Sequence, residues 1–193
     1  METSTKSILE EKLQVTETDL KGVLIIIPRV HRDERGYFFD SYDERDLKKY
    51  GLPSFVQQSQ SFSFQNVVRG LHFQMPPHAQ AKLVRVLKGT ILDVVVDIRK
   101  NSSTFGKHSK IELSDSNFKQ VYIPAGFAHG FSVLSKIAIV LYNLSQLYNP
   151  ASERGIYYRD QDLAIDWKIE KPILSEKDKK WPLLKELNNS LNF

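Results

Sequence analysis

Apolar positions through the middle of this chain recur at every second residue, in short runs separated by turn residues. Leu92, Val94, Val96 and Ile98 fall on one side of an extended segment, and Asp93 and Asp97 are among the residues on the other. That alternation predicts a strand half-buried in a sheet. In the segment before it, Leu83, Arg85 and Leu87 alternate with Val84 and Val86, and Lys88-Gly89-Thr90 marks a turn. Val23 to Ile27 and Ile137 to Leu144 are apolar runs of strand length. Asn101-Ser102-Ser103 and Ser114-Asp115-Ser116-Asn117 are loop clusters, and Asn149-Pro150-Ala151-Ser152 ends the regular succession. Helical signals are few. Ser41 and Glu44 stand at capping-box spacing and Gly51 follows as a stop, which predicts a short helix near residues 41–50. From Leu174 onward the chain reads as short helical pieces broken at Pro182. Many short strands with frequent turn signals and few helices predict an all-β barrel or sandwich.

The 193 residues carry no internal repeat and no linker, so one domain over 1–193 is expected, with residues 1–12 as a polar tail or arm. Lysine and arginine number 27 against 23 acidic residues, a net charge of +4. That surplus means either a mildly basic surface or a pocket that attracts an anion. No dense basic stripe is present, so nucleic acid is not an expected partner. The absence of cysteine removes disulfides, thiolate metal ligands and cysteine nucleophiles together. No apolar signal segment opens the chain and no window is long enough to span a bilayer, so no membrane is expected and the cytoplasm is the expected compartment.

Candidate chemistry centres on two histidines. His72 lies in Arg69-Gly70-Leu71-His72-Phe73-Gln74, and His129 in Ile123-Pro124-Ala125-Gly126-Phe127-Ala128-His129-Gly130-Phe131. Pro124-x-Gly126-x-x-His129 has the form of the second cupin motif, a turn that delivers a histidine into a jelly-roll barrel. A metal-binding cupin would also carry a His-x-His pair and a glutamate ahead of a glycine. Here Lys82 stands where that carboxylate belongs, before Gly89, and His72-Phe73-Gln74 offers one imidazole only. A charged lysine cannot ligate a divalent cation, so no metal is expected. It can stabilise an enolate oxygen, while a neutral histidine removes a proton alpha to a ketone. Epimerisation then needs an acid across the pocket. Tyr142 is the candidate, on the strand face it shares with the small residues Ala138 and Val140.

Asp33-Glu34-Arg35-Gly36, Arg69–Gln74, Gln80–Arg85, Val96–Gly106, Ile123–Phe131, Tyr142, Asn149-Pro150 and Leu174–Asp178 stand in the order seen in dTDP-4-dehydrorhamnose 3,5-epimerases, and the chain resembles that family from about Val23 to Asp178. The resemblance implies a cupin-type jelly roll and cofactor-free epimerisation at C3 and C5 of dTDP-4-dehydro-6-deoxy-D-glucose, on the route to dTDP-L-rhamnose. It also implies a homodimer whose N-terminal strand joins the partner's sheet. His72 would be the base and Tyr142 the acid. Asp178 would pair with His72, fixing its tautomer and strengthening it as a base, and Lys82 would stabilise the enolate. Arg35, Asp40, Gln57, Arg69, His129, Glu153 and Lys177 match substrate-contacting positions, and arginines suit a diphosphate through their planar, multi-donor heads. Two departures stand out. Asp40 replaces the usual glutamate, and Gln57-Gln58-Ser59-Gln60 replaces Gln-Asp-Asn-His.

Plainer readings stay open for several of these residues. Asp178 is spaced from Ser175 to support a helix start. Arg35 fits a turn position, His129 could brace the barrel, Tyr142 could be a core tyrosine, and Lys82 could salt-bridge a neighbour. Arg69 falls on the strand face opposite His72 unless Gly70 marks a bulge; otherwise it serves another part of the ligand or a partner subunit. His31, His78 and His108 read as surface residues. Rival functions are a mono-epimerase or ketoisomerase of a deoxysugar nucleotide, a non-catalytic sugar-nucleotide-binding cupin, and a metal-dependent oxygenase.

Overall fold

The structure is a computed structural model that describes residues 12–187 and 190–193. Residues 1–11 of the expected tail or arm lie outside the described residues. Two antiparallel sheets face each other. One holds, in spatial order, β1 (Leu13–Glu17), β2 (Leu24–Pro28), β10 (Gln120–Ile123), β7 (Lys82–Lys88), β12 (Ile137–Leu144) and β5 (Gln57–Phe64). The other holds β13 (Glu153–Gly155), β6 (Val68–Gln74), β11 (Phe127–Val133), β8 (Thr90–Asp97) and β9 (His108–Ser114). A separate hairpin is formed by β3 (His31–Asp33) and β4 (Gly36–Phe38). Helical structure among the described residues is limited to α1 (Glu44–Lys48), a 3-10 turn at Asp178–Lys180 and α2 (Leu184–Leu187). From β5 to β8, and again from β10 to β12, successive strands alternate between the two sheets. This is the all-β jelly-roll barrel of the cupin type.

The crossing from β7 to β8 shows how the sequence sets this topology. Lys88-Gly89-Thr90 carries the chain from one sheet to the other instead of reversing it within a hairpin. Gly89 has φ +84, and a Cβ there would lie 2.0 Å from the Ile137 carbonyl oxygen. Only glycine tolerates both conditions.

Apolar side chains between the sheets form one core, including Val84, Val86, Ile91, Val95, Phe131 and Val140. A second core lies on the outer face of the five-stranded sheet. There Leu71, Phe73, Val94 and Val96 are covered by Ile156, Tyr158, Leu163 and Trp167 from the C-terminal segment. Strand β8 is therefore buried on both faces rather than half-buried, and every residue from Ile91 to Asp97 is buried. Its polar side faces internal partners, so Asp93 meets His129 while Asp97 accepts from Arg99, Ser102 and Thr104. Period-2 alternation reads the same whether the polar side meets water or an internal site.

Two local expectations are corrected. Helix α1 is capped by Asp43, whose side chain accepts from the Arg45 backbone N–H at 2.9 Å, and not by Ser41. The Ser41 carbonyl instead accepts from Gln120 Nε2 at 3.0 Å. Strand β13 follows the Asn149-Pro150 segment where no further strand was expected, and it is only three residues long. Leu13–Glu17 pairs with β2 of its own chain, from Leu13 opposite Pro28 to Glu17 opposite Leu24, and forms the edge of the six-stranded sheet.

Candidate active site

Gly70 decides which way the key residues of β6 point. It has φ +105, and a Cβ there would stand 2.6 Å from the His129 carbonyl oxygen. The pairing of β6 with β11 shifts register at this place, between His129 opposite His72 and Phe131 opposite Arg69. An extra residue in one strand of a pair reverses the facing of everything beyond it. Arg69 and His72, three positions apart, therefore line the same cavity. The bulge resolves the alternatives left open for Arg69. Its Nε donates to Ser63 Oγ at 3.0 Å.

His72 lies on β6 beside the edge strand β13, opposite His129 on one side and Gly155 on the other. Its Nε2 lies 2.5 Å from Asp178 Oδ1. Asp178 opens the 3-10 turn, where its backbone N–H donates to Ser175 Oγ at 3.1 Å, so the helix-start role and the pairing role coexist. Trp181 Nε1 donates to the same carboxylate oxygen at 3.2 Å. Burial pushes the Asp178 carboxyl up, but the hydrogen bonds from His72, Ser175 and Trp181 outweigh it and hold the group below the usual carboxylate range. An ionised Asp178 accepts from Nε2–H. By this hydrogen-bond network the lone pair of the neutral ring sits on Nδ1, the proton-accepting atom.

Lys82, at the start of β7 on the opposite sheet, donates from Nζ to the His72 carbonyl oxygen at 3.1 Å. Burial lowers its ammonium to about 8, with the charges of Asp93 and Glu153 working against the shift. The group therefore remains largely charged at neutral pH.

His129 is buried, and its Nε2 lies 2.7 Å from Oδ2 of the fully buried Asp93. A close carboxylate favours the imidazolium, yet burial of the ring outweighs it and holds His129 below its ordinary range. The ring is then a neutral donor to Asp93, in the bracing role its sequence allowed. Asp93 Oδ1 has no hydrogen-bond partner among the described residues.

Tyr142 projects from β12, and its hydroxyl lies 2.8 Å from Ser61 Oγ. Burial pushes the phenol well above its ordinary range, with Ser61 and Arg69 opposing. Its ring meets that of His129 edge-on at 6.4 Å.

These groups converge on one cavity of about 320 Å³ between the sheets. Arg69, His72 and His129 line it from one sheet, Lys82 and Tyr142 from the other, and Glu153 lies at its edge strand. Glu153 accepts from Lys177 Nζ and, at 2.5 Å, from the Tyr148 hydroxyl. Lys177 stands 5.5 Å over the Trp181 ring. Gln57 touches the cavity indirectly: its Oε1 accepts from the backbone N–H of Tyr148, a lining residue, at 2.8 Å.

Arg35 and Asp40 are not among the lining residues of this cavity. Arg35 occupies the exposed β3–β4 turn and pairs with Asp33 at 2.5 Å, in the turn position its sequence allowed. Asp40 lines a separate cavity beside β1, β2 and α1. Sequence reasoning passed over Asp93, Ser61 and Trp181. Asp93 had a signal, an acidic residue inside an otherwise apolar strand; Ser61 and Trp181 had none. Among the described residues no three His, Asp or Glu side chains are grouped so as to hold a metal ion.

Residues 17–186 match the sequence model of the dTDP-4-dehydrorhamnose 3,5-epimerases. The enzyme of that name from Methanothermobacter thermautotrophicus is 47% identical over 174 residues, covering 88% of this chain and 94% of the relative. The Escherichia coli enzyme is 47% identical over 178 residues, covering 91% and 96%. The crystal structure of the Elizabethkingia anophelis enzyme superposes with a TM-score of 0.88 at 48% identity, covering 92% of this chain and all of that one. A Legionella pneumophila 3,5-epimerase, solved in complex with dTDP-4-keto-L-rhamnose, gives a TM-score of 0.89 at 41% identity, covering 92% and 96%. The chain belongs to the dTDP-4-dehydrorhamnose 3,5-epimerase family.

Proposed function

We infer that this chain converts dTDP-4-dehydro-6-deoxy-D-glucose to dTDP-4-dehydro-L-rhamnose by inverting C3 and C5, without a cofactor. The observation that carries this reading is the placement of His72 and Tyr142 in one cavity, on facing sheets. His72 Nδ1 takes the proton from a carbon alpha to the ketone. Negative charge moves to O4, where the Lys82 ammonium stabilises it; aimed charge of this kind is often the largest single catalytic contribution. The Tyr142 hydroxyl then returns a proton to the opposite face of the same carbon, and the cycle repeats at the second carbon. His129 and Glu153 contact the sugar nucleotide, and Arg69 and Lys177 supply positive charge for its diphosphate. Gln57 supports the site through Tyr148.

The assembly we propose is a homodimer in the cytoplasm. Helix α1 covers only part of the outer face of the six-stranded sheet. At the other end Phe62 and Phe64 are 49% and 64% exposed, opposite Ile139 and Ile137 of β12. An apolar patch on a sheet's outer face marks an interaction site. In such an assembly Arg35 and Asp40, which do not line the cavity of their own chain, would serve the partner's. Replacing Phe62 and Phe64 together by lysine is expected to shift sedimentation from dimer to monomer and to weaken substrate binding. An unchanged dimer would place the interface elsewhere.

Activity should also report on Lys82. Its useful form is the ammonium, so kcat/KM is expected to fall as pH rises through about 8. Lys82→Arg keeps its charge and should lose that alkaline limb at a reduced maximal rate. A limb unchanged in the variant would assign it to another group.

The test of function is incubation with the 4-keto sugar nucleotide and identification of the product by NMR. Inversion at both carbons is expected. Inversion at one carbon would make the chain a mono-epimerase, and binding without turnover would make it a sensor.

A further inference from the structure

Each epimerisation takes one proton onto His72 and draws one from Tyr142. A double epimerisation within one binding event therefore needs the phenolate to recover a proton while the sugar still covers it. The Tyr142 ring is packed against His129 and Phe131, at 6.4 and 6.5 Å, and Ser61 is the only hydrogen-bond partner of its hydroxyl among the described residues. Ser61 stands on β5, the edge strand of its sheet, as one of three serines (Ser59, Ser61 and Ser63) on its inward side. Ser63 is taken by Arg69 and Ser59 by Gln57, whereas the Ser61 hydroxyl has no other partner among the described residues. Ser61 is partly exposed and lines the same cavity from this edge strand.

Resting on the reading of Tyr142 as the acid, we propose that Ser61 is the proton conduit that re-arms Tyr142 between the two epimerisations. In the resting site Ser61 donates its O–H to the phenol oxygen, which leaves the phenol's own proton free for the substrate carbon. When Tyr142 gives up that proton, the O–H bond of Ser61 breaks toward the phenolate oxygen, and Ser61 Oγ takes a proton from water. The resulting hydroxide is neutralised in solvent by the proton that His72 has removed from the substrate and released. No oxidant or further reactant is needed. A hydroxyl can serve in this way because it donates and accepts at once. The same hydrogen bond stabilises the buried phenolate, in the direction opposite to burial.

The experiment compares wild type, Ser61→Ala and Ser61→Thr by rapid quench, scoring singly and doubly epimerised sugar nucleotide over time. In Ser61→Ala the first epimerisation is expected within about three-fold of wild type and the second slowed at least about ten-fold, so singly epimerised sugar accumulates. Ser61→Thr, which restores a hydroxyl, should restore the wild-type ratio. The proposal is overturned if both events fall by the same factor, since Ser61 would then only position Tyr142, or if neither event changes. It is also overturned if threonine fails to rescue. Tyr142→Phe, run alongside, isolates the underlying reading: wild-type rates in that variant would remove Tyr142 as acid, whatever Ser61→Ala does.

Discussion

His72→Ala is expected to abolish incorporation of solvent deuterium at both C3 and C5 and to lower turnover by about 10³-fold or more, in the upper range of general-base contributions. The reason lies in the placement of the ring. Its Nε2 is committed to Asp178 at 2.5 Å, so Nδ1 is the basic atom available to a substrate in the cavity. Lys82 is largely charged at neutral pH, so it offers no replacement lone pair. Asp178→Asn should retain the ring but lose its tautomer control, giving a smaller loss at both carbons. Asparagine keeps the shape of the side chain while allowing the ring to present N–H toward the substrate. Deuterium wash-in by His72→Ala at either carbon would show that another group removes that proton. Wash-in is more decisive than product formation here, because it reports proton removal even when reprotonation fails.

Tyr142→Phe is expected to lower turnover by about 10²-fold, at C5 above all, while nucleotide affinity stays within about three-fold. Phenylalanine preserves the ring against His129 and Phe131 and removes only the hydroxyl that bonds Ser61. Because burial pushes the phenol up, Tyr142 holds its proton throughout the neutral range and has one to give when a carbanion forms beside it. Removing an interaction made only as the proton is transferred lowers kcat without raising the dissociation constant. If binding collapsed in Tyr142→Phe while turnover per bound substrate stayed normal, the hydroxyl would be a binding group and the acid would lie elsewhere.

Much of this site was legible because it is encoded locally. Strands β7 and β12 follow directly from alternation and apolar runs, and the glycines at 70 and 89 mark the bulge and the sheet crossing. What alternation could not show is where the second face of a strand points. Asp93 sits in a strand whose pattern suits a solvated sheet, yet its polar side meets His129 in the barrel interior. Ser61 and Trp181 become visible only when β5 is laid beside β12 and the C-terminal turn returns to β6, contacts that join residues 81 and 106 positions apart. The helix start moved from Ser41 to Asp43 because both residue types cap well, and only the tertiary bond from Gln120 to the Ser41 carbonyl decides between them.

The central claim is an acid and a base on opposite sides of one sugar ring, used twice. Its most direct test is incubation of the wild-type protein with the 4-keto sugar nucleotide in D₂O, with NMR scoring of label at each carbon of the product. One deuterium at C3 and one at C5, both carbons inverted, is the predicted result. Product inverted at both carbons but lacking solvent label at either would contradict the account, because no proton would then have passed through His72 and Tyr142.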